Sequence, residues 1–307
     1  MDTPAKDPAS IYDQEPTPTR VQDPMSMYAQ DPAPMHAKRP APIIPAKEPA
    51  PMHAHLAFLA GARAALVFLT RIPCGKRPPS ETALQWAPAW FPVIGYILGF
   101  VACLVWAGLE RAGGMIAAVA AVATLALVTG AFHEDGLADT ADALGGATDR
   151  EKLFAILKDS RIGSFGATAL TLVLLLRIVA LAKLGPMAIG GLLLGQTISR
   201  TTPVWMMAAL PYVTPAESAR SLRLANGKMI HAVIASAFAT IAASLLVVGK
   251  LLPLQAILVA LLLSVIVAIV CGWRFYARAG GLTGDFLGAT QQLTDAVILV
   301  GLVVSLL

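Results

Sequence analysis

The sequence GGMIAAVAAVATLALVTGAFHEDGLADTADALGG, residues 113–146, joins the two features that decide the fold of this chain. Its first part, 113–132, carries no charge and is long enough to cross the ~30 Å hydrocarbon core of a bilayer as a helix. The residues that follow place four carboxylates within nine positions. An apolar span that runs directly into an acidic cluster predicts a membrane protein with a polar site at the end of a helix.

Composition supports a membrane body for most of the chain. Of its 307 residues 56% are hydrophobic and 14% are charged, whereas ordinary soluble domains are about 25% charged. Two shorter stretches, 56–70 and 295–307, either span a thin region of the bilayer, lie at its interface or form re-entrant segments. Six longer apolar stretches are predicted transmembrane helices: 88–109, 113–132, 166–184, 187–213, 229–249 and 251–273. We therefore predict an all-α, polytopic helical bundle of six to eight transmembrane helices over residues 56–307.

The first 55 residues have a different character. Residues 1–55 hold 12 of the 22 prolines and repeat a loose theme that includes KDPASIY and QDPMSMY. Proline removes backbone donors and disfavours helix in the residue before it, so this tail is predicted to be disordered and non-catalytic. Whether other proteins dock on the tail, and whether the chain forms a homo-oligomer, stays open on the sequence alone.

Charge is distributed unevenly along the chain. The tail has 5 Lys/Arg against 7 Asp/Glu, which leaves 18 against 12 in the body. If each long stretch crosses once, the basic loops 71–85, 133–165, 214–228 and 274–290 all lie on one side. Basic loops beside spans mark the cytoplasmic side, here of the cell inner membrane, and do not indicate nucleic-acid binding. The polar loops are therefore predicted to act on cytoplasmic molecules.

The acidic cluster is a candidate metal site. Asp135, Asp139 and Asp142 are spaced i, i+4, i+7, which places them on one face of a helix, where they repel one another. A divalent cation converts this repulsion into coordination, and ligands that are all oxygen favour Mg²⁺ or Mn²⁺ over zinc. Glu134 is either a further ligand or a surface acid, and His133 either donates to a substrate phosphate or has no role. The alternative is a solvated acidic helix face.

A second motif, KDSRIGSFG, covers residues 158–166. Lys158, Asp159, Ser160 and Arg161 combine cations, a hydroxyl and a carboxylate with flexible glycine backbone, a lining suited to phosphate or pyrophosphate. A basic helix end terminated by glycine would explain part of the same pattern.

Two more polar patches lie inside or beside apolar stretches. Ser199-Arg200 and Pro203 interrupt 187–213, so this stretch is predicted to be a broken helix with polar groups towards an internal cavity. An unpaired guanidinium is costly there, so Arg200 is expected to meet a carboxylate or a substrate phosphate. GGLTGDFLGATQQLTD, residues 280–295, carries Asp285 and Asp295 and is either part of the pocket or a glycine-rich turn.

Together these motifs resemble the adenosylcobinamide-GDP ribazoletransferase family, also called cobalamin synthase. The resemblance covers roughly 56–307 and rests on FHEDGLADTADALGG, KDSRIGSFG, the Ser199-Arg200 pair and LTGDFLGA followed by QLTD. The sequence departs from the family pattern in its long proline-rich tail and in Asp295, where similar proteins tend to carry Glu.

The resemblance implies an integral membrane enzyme that requires Mg²⁺ and acts in the last stage of coenzyme B12 assembly. It would join adenosylcobinamide-GDP to α-ribazole or its 5′-phosphate and release GMP. The expected metal ligands are Asp135, Asp139, Asp142 and Glu134. The expected phosphate-binding residues are Lys158, Ser160, Arg161, Ser199 and Arg200. The expected catalytic residues are Asp159 or Asp285 as the base, with His133.

Two other functions compete with this interpretation. A CDP-alcohol phosphotransferase also places carboxylates at a membrane face, but the chain reads Leu-Ala-Asp after Asp135-Gly136 and lacks the AR pair of that class. An ion-coupled transporter would carry charges near the membrane midplane and show two similar halves. Here the acids cluster where loops are predicted to begin.

Overall fold

The computed structural model describes residues 54–75, 77–213 and 228–306, and in these residues the chain is all-α. The predicted tail lies outside the described residues except for its last two positions, which begin the first helix. The described helices are α1 Ala54–Leu69, α2 Glu81–Leu109, α3 Gly114–Thr129, α4 Phe132–Gly146, α5 Arg150–Leu157, α6 Ser164–Leu184, α7 Ala188–Ala209, α8 Met229–Val248, α9 Leu254–Ala279 and α10 Gly284–Leu306.

The helices make this a multi-pass membrane protein. Five helical stretches are long and apolar enough to cross a bilayer, and the bent pair α3–α4 raises the number to six if it counts as one span. These five are α2 with the turn after it, the α6–α7 stretch, α8, α9 and α10. The upper count lies within the predicted range of six to eight. The apolar helix α1 is shorter than a span and packs on α2, where Trp90 Nε1 donates to the carbonyl of Phe58 at 2.9 Å.

Helix α7 runs through the centre of the bundle without a break, so the prediction of a broken helix at 187–213 was wrong. Packing keeps α7 helical through Ser199-Arg200 and Pro203, because nearly every residue of α7 is buried against α2, α8, α9 or α10. Thr197 and Thr201 also bond to carbonyls four residues earlier, at 2.7 and 2.9 Å, and so keep their hydroxyls satisfied. The polar side chains of α7 point inwards, as expected.

The predicted loop 274–290 is also mostly helical, because α9 continues to Ala279 and α10 begins at Gly284. Gly280 ends α9 in the left-handed conformation, with φ of 80°, and the Thr283 hydroxyl accepts from the Phe286 N–H at 3.2 Å. The glycine-rich sequence thus encodes two helix ends that lie four residues apart.

Two of the predicted basic loops, 133–165 and 274–290, meet on one face of the bundle beside the end of α7, whereas the predicted loop 214–228 lies outside the described residues except for Lys228. Arg150 Nε donates to the Ala279 carbonyl at 2.9 Å, and the Val213 N–H donates to the Leu282 carbonyl at 2.8 Å. We call this side, which carries residues 147–163, 210–213 and 279–283, the loop face. The turns at 110–113, 185–187 and 249–253 join helices at their other ends.

Close packing of α2 against α7 depends on glycine. A Cβ at Gly95 would collide with the carbonyl oxygen of Gln196, and a Cβ at Gly99 would lie 2.8 Å from that of Leu192. The two backbones therefore approach more closely than any larger residue allows.

We expect Gly95→Ala to lower the stability of the purified protein in detergent by about 1–3 kcal/mol through overpacking. The matched control is Gly108→Ala on the same helix, where an added Cβ meets nothing within 4 Å. This control should leave stability unchanged or raise it, because alanine favours helix over glycine by up to about 1 kcal/mol. Thermal unfolding midpoints of both variants check the packing, and equal midpoints would contradict it.

Candidate active site

A sharp bend directs the acidic helix across the bundle. Gly130 and Ala131 adopt left-handed backbone conformations in succession, with φ of 72° and 57°, and α4 leaves α3 at 91°. Arg71 packs against Gly130, where a Cβ would collide with its guanidinium. The carboxylates that follow therefore lie across the bundle instead of continuing the direction of α3.

Two glycines then bring α10 against α4. A Cβ at Gly136 would lie 2.9 Å from the carbonyl oxygen of Asp285, and one at Gly288 would lie 3.4 Å from the Cα of His133. Since neither helix has a side chain at the crossing, the first turn of α10 lies directly beside α4. Asp285 joins the carboxylates of α4 in this way.

We use the name acid cluster for Asp135, Asp139, Asp142 and Asp285. Asp135 is exposed and the other three are partly exposed. Burial opposes ionisation of Asp139 most strongly, and the charges of Asp135, Asp285 and Asp142 add to this effect, so the i, i+4, i+7 spacing predicted the crowding correctly. Among the described residues, no three His, Cys, Asp or Glu side chains converge as a ready-made metal site.

Asp142 links the acid cluster to the beginning of α6. Its two oxygens accept hydrogen bonds from the N–H groups of Gly163 and Gly166, at 2.7 and 2.8 Å. Gly163 is the N-cap of α6, so a carboxylate stands at the positive end of that helix. A Cβ at either glycine would collide with the Asp142 carboxylate, which explains the glycines of KDSRIGSFG.

The segment before Gly163 carries the predicted phosphate-binding residues. Lys158, Ser160 and Arg161 are exposed on the loop face, and the contact with Asp142 anchors them next to α4. Arg161 pairs with Asp159, its Nη2 lying 2.6 Å from Oδ2, and this pairing lowers the pKa of Asp159 to about 2. A carboxylate with so low a pKa is a weak base at neutral pH and serves better to hold the guanidinium.

On the side of α4 that faces the interior, Glu134 belongs to a buried ion cluster. We define this cluster as Glu134, Arg177, Arg200 and Asp295. Arg177 of α6 lies 2.8 Å from Asp295 Oδ2 and 3.6 Å from Glu134 Oε1, and its Nη1 donates to Gln292 at 2.7 Å. These side chains are almost wholly inaccessible to solvent. Glu134 therefore faces a guanidinium inside the bundle and not the acid cluster.

Arg200 belongs to the same network. Its Nη1 donates to Gln196 Oε1 at 2.7 Å, and Gln196 Nε2 donates to Asp295 at 2.9 Å. Ser199 accepts a hydrogen bond from Gln291 at 2.9 Å. Ser199 and Arg200 are buried, so the structure does not bring them together with the exposed residues of 158–161.

His133 is also buried, where α4 crosses Gly288. Within the described part of the chain its Nδ1 has no hydrogen-bond partner, and its ring packs edge-on against Phe132. The structure thus places His133 on the inner side of α4 with Glu134.

Sequence reasoning did not identify several members of this network. The sequence around Arg177 contains no motif and predicts only internal pairing, and it gives no role to three glutamines of the network: Gln196, Gln291 and Gln292. The available signal was an amide side chain inside an apolar stretch, because such a group must find a partner when it is buried.

Comparison with known proteins agrees with this geometry. Residues 61–303 match the family described as cobalamin-5-phosphate synthase. The chain belongs to this family.

Curated relatives carry the corresponding name. Proteins named adenosylcobinamide-GDP ribazoletransferase are 38% identical in Polaromonas sp. (79% of this chain, 95% of the relative) and 39% identical in Shewanella piezotolerans (76% and 90%). The protein of that name from Allorhizobium ampelinum is 36% identical over 81% of this chain and 98% of its own length. No solved structure matches the chain. The family match begins within α1 and includes the acid cluster, the segment 158–166 and the buried ion cluster.

We expect Arg177→Met to destabilise the protein by about 3–5 kcal/mol, because it leaves buried carboxylates without a counter-charge. Adding Asp295→Asn should recover part of this loss by removing one of the stranded charges. Lys183→Met is the matched control, an exposed cation on the same helix, and should change stability by about 0.5 kcal/mol or less. Denaturation in detergent measures all three, and equal effects at positions 177 and 183 would refute the buried pairing.

We expect Asp142→Ala to release the segment 158–163 from α4, because the N–H groups of Gly163 and Gly166 lose the carboxylate that accepts their hydrogen bonds. Limited trypsin digestion should then cut faster after Lys158 and Arg161, with fragments identified by mass spectrometry. Glu151→Ala, an exposed acid on α5, is the control and should digest like the parent protein. Unchanged cleavage in Asp142→Ala would show that other contacts hold the segment.

Proposed function

We propose that this protein is an adenosylcobinamide-GDP ribazoletransferase. It joins adenosylcobinamide-GDP to α-ribazole, or to α-ribazole 5′-phosphate, and yields adenosylcobalamin, or its 5′-phosphate, together with GMP. The names of the relatives support the reaction. The structural observation that carries the proposal is the acid cluster, which is at least partly exposed at each carboxylate and is linked through Asp142 to the segment that carries Lys158 and Arg161.

The reaction is a substitution at phosphorus. The 3′-hydroxyl oxygen of the ribazole forms a bond to the cobinamide-linked phosphorus while the bond from that phosphorus to the GMP oxygen breaks. The hydroxyl proton passes to a base, and the electron pair of the broken bond leaves with GMP. Catalysis thus requires positioning, neutralisation of the diphosphate charge and acceptance of one proton.

The oxygen donors of the acid cluster fit Mg²⁺. Mg²⁺ is usually held by one or two carboxylates together with substrate phosphates and water, so a closed site of three side chains is not required. Asp135 and Asp139 are its ligands in this proposal, since Glu134 faces Arg177 and Asp142 accepts two backbone N–H groups. When bound, Mg²⁺ neutralises charge on the diphosphate.

The remaining roles follow from exposure and pairing. Lys158 and Arg161 bind the phosphate oxygens from the loop face, with Ser160 as a further donor. Asp159 orients Arg161 and stays ionised. Asp285, in the first turn of α10 beside α4, accepts the proton of the ribazole hydroxyl. Ser199, Arg200 and His133 are buried and do not touch the substrates in this proposal.

In this proposal the protein lies in the cell inner membrane with its loop face towards the cytoplasm. Support comes from Arg150, Lys152, Arg274 and Arg278, which lie on or next to the loop face, as expected for the positive side of a bacterial membrane protein. The acid cluster then meets water-soluble substrates directly.

The test uses full-length protein in detergent with adenosylcobinamide-GDP, α-ribazole 5′-phosphate and Mg²⁺, and follows GMP and corrinoid product by chromatography. We expect product with Mg²⁺ and none with EDTA. Asp139→Asn should lower the rate by ~100-fold or more, the scale of losing one electrostatic stabiliser.

The matched control is Glu151→Gln, which removes an exposed carboxylate near the loop face but outside the acid cluster, and it should keep the parent rate. Folding of each variant is checked by its unfolding midpoint. A folded Asp139→Asn with the parent rate and metal dependence would refute the metal site, and a parent protein without product under any divalent metal would refute the reaction.

A further inference from the structure

A groove opens on the side of the bundle, away from the acid cluster. Helix α8 packs on α2 and α7, whereas α9 packs on α10 and α7, so α8 and α9 diverge above α7. The space between them has a volume of about 720 Å³. Its walls are the segments 198–205 of α7, 236–248 of α8 and 254–269 of α9. All three helices lie in stretches that are long and apolar enough to span a membrane.

Apolar side chains form most of the lining of the groove. Leu258, Leu261 and Ile269 line it and are exposed. Two of its hydroxyls are already satisfied by their own helices, since Thr201 donates to the Thr197 carbonyl at 2.9 Å and Ser264 donates to that of Leu261 at 2.8 Å. An occupant therefore gains little from polar groups and must itself be apolar along this length.

The groove is long enough for an acyl chain. At 1.5 Å per residue, the wall segments of α8 and α9 extend over ~18 and ~22 Å, which is more than half of the ~30 Å hydrocarbon core. A hydrocarbon chain that lies along the groove therefore contacts apolar side chains over this whole length.

The two ends of the groove differ. Towards the loop face, Trp205 Nε1 donates to Ser236 Oγ at 2.9 Å and links α7 to α8 at the end of the groove. The opposite end reaches Val248 and Leu254, which flank the turn between α8 and α9. That turn carries an exposed cation, Lys250. A chain that enters beside Lys250 can carry a phosphate headgroup there and end at Trp205.

We propose that this groove binds a membrane phospholipid, with an acyl chain between α8 and α9 and its phosphate at Lys250. The site is distinct from the acid cluster and does not depend on the proposed reaction. The lipid comes from the leaflet opposite the loop face and fills space that would otherwise separate α8 from α9.

The experiment is native mass spectrometry of the full-length protein, extracted in mild detergent and titrated with phosphatidylglycerol. Ser244→Phe fills the groove, and its control is Leu262→Phe, an exposed residue of α9 outside the lining. We expect Ser244→Phe to weaken retention of the first lipid about tenfold and Leu262→Phe to leave it unchanged. Lys250→Ala should weaken it in the same direction, whereas Lys183→Ala, an exposed cation elsewhere, should not.

Unfolding midpoints and GMP release identify variants that fail to fold or to turn over, and separate this proposal from the proposed function. Equal lipid retention in Ser244→Phe and Leu262→Phe would overturn the proposal. So would loss of an oligomer in Ser244→Phe with lipid retention unchanged, because the groove would then hold a second copy of the chain.

Discussion

Pairing of Arg177 with Asp295 and Glu134 is the interaction on which the rest of the structure depends. Charged groups removed from water carry a large desolvation cost, which is offset only when opposite charges and hydrogen bonds surround them. Here two guanidinium groups meet two carboxylates, and glutamine amides connect them. The cluster draws one side chain from α4, one from α6, one from α7 and one from α10, so it fixes four helices relative to one another.

This arrangement gives neighbouring residues of α4 opposite environments. Glu134 is buried against Arg177, whereas Asp135, the next residue, is exposed in the acid cluster. A helix places consecutive side chains about 100° apart, so one short segment of α4 can place Glu134 in the interior and Asp135 at the surface. The buried side determines how α4 is rotated, and this rotation determines which carboxylates reach the loop face.

Much of this could be predicted from the sequence, for identifiable reasons. The apolar length of α8 and the spacing of Asp135, Asp139 and Asp142 are local signals, and they gave the helix and its acidic face correctly. Arg200 shows the limit of such signals. Its partners lie four residues earlier on α7 and far away on α10, and only the packing shows whether a cation in an apolar stretch faces a carboxylate or a phosphate. The same holds for α10, whose helical start depends on a threonine cap and on a glycine contact with α4.

The bend at Gly130 and Ala131 also has a consequence for how the protein is made. Helix α4 is synthesised before its buried counter-charges, because Arg177 follows Glu134 by 43 residues and Arg200 follows it by 66. A segment with four carboxylates cannot settle into lipid by itself. The interior contacts of α4 are therefore complete only when α6 and α10 are also in place. Since α10 follows α4 in the chain, a product truncated before α10 would retain its earlier spans and lack Asp285, so its acid cluster would be incomplete.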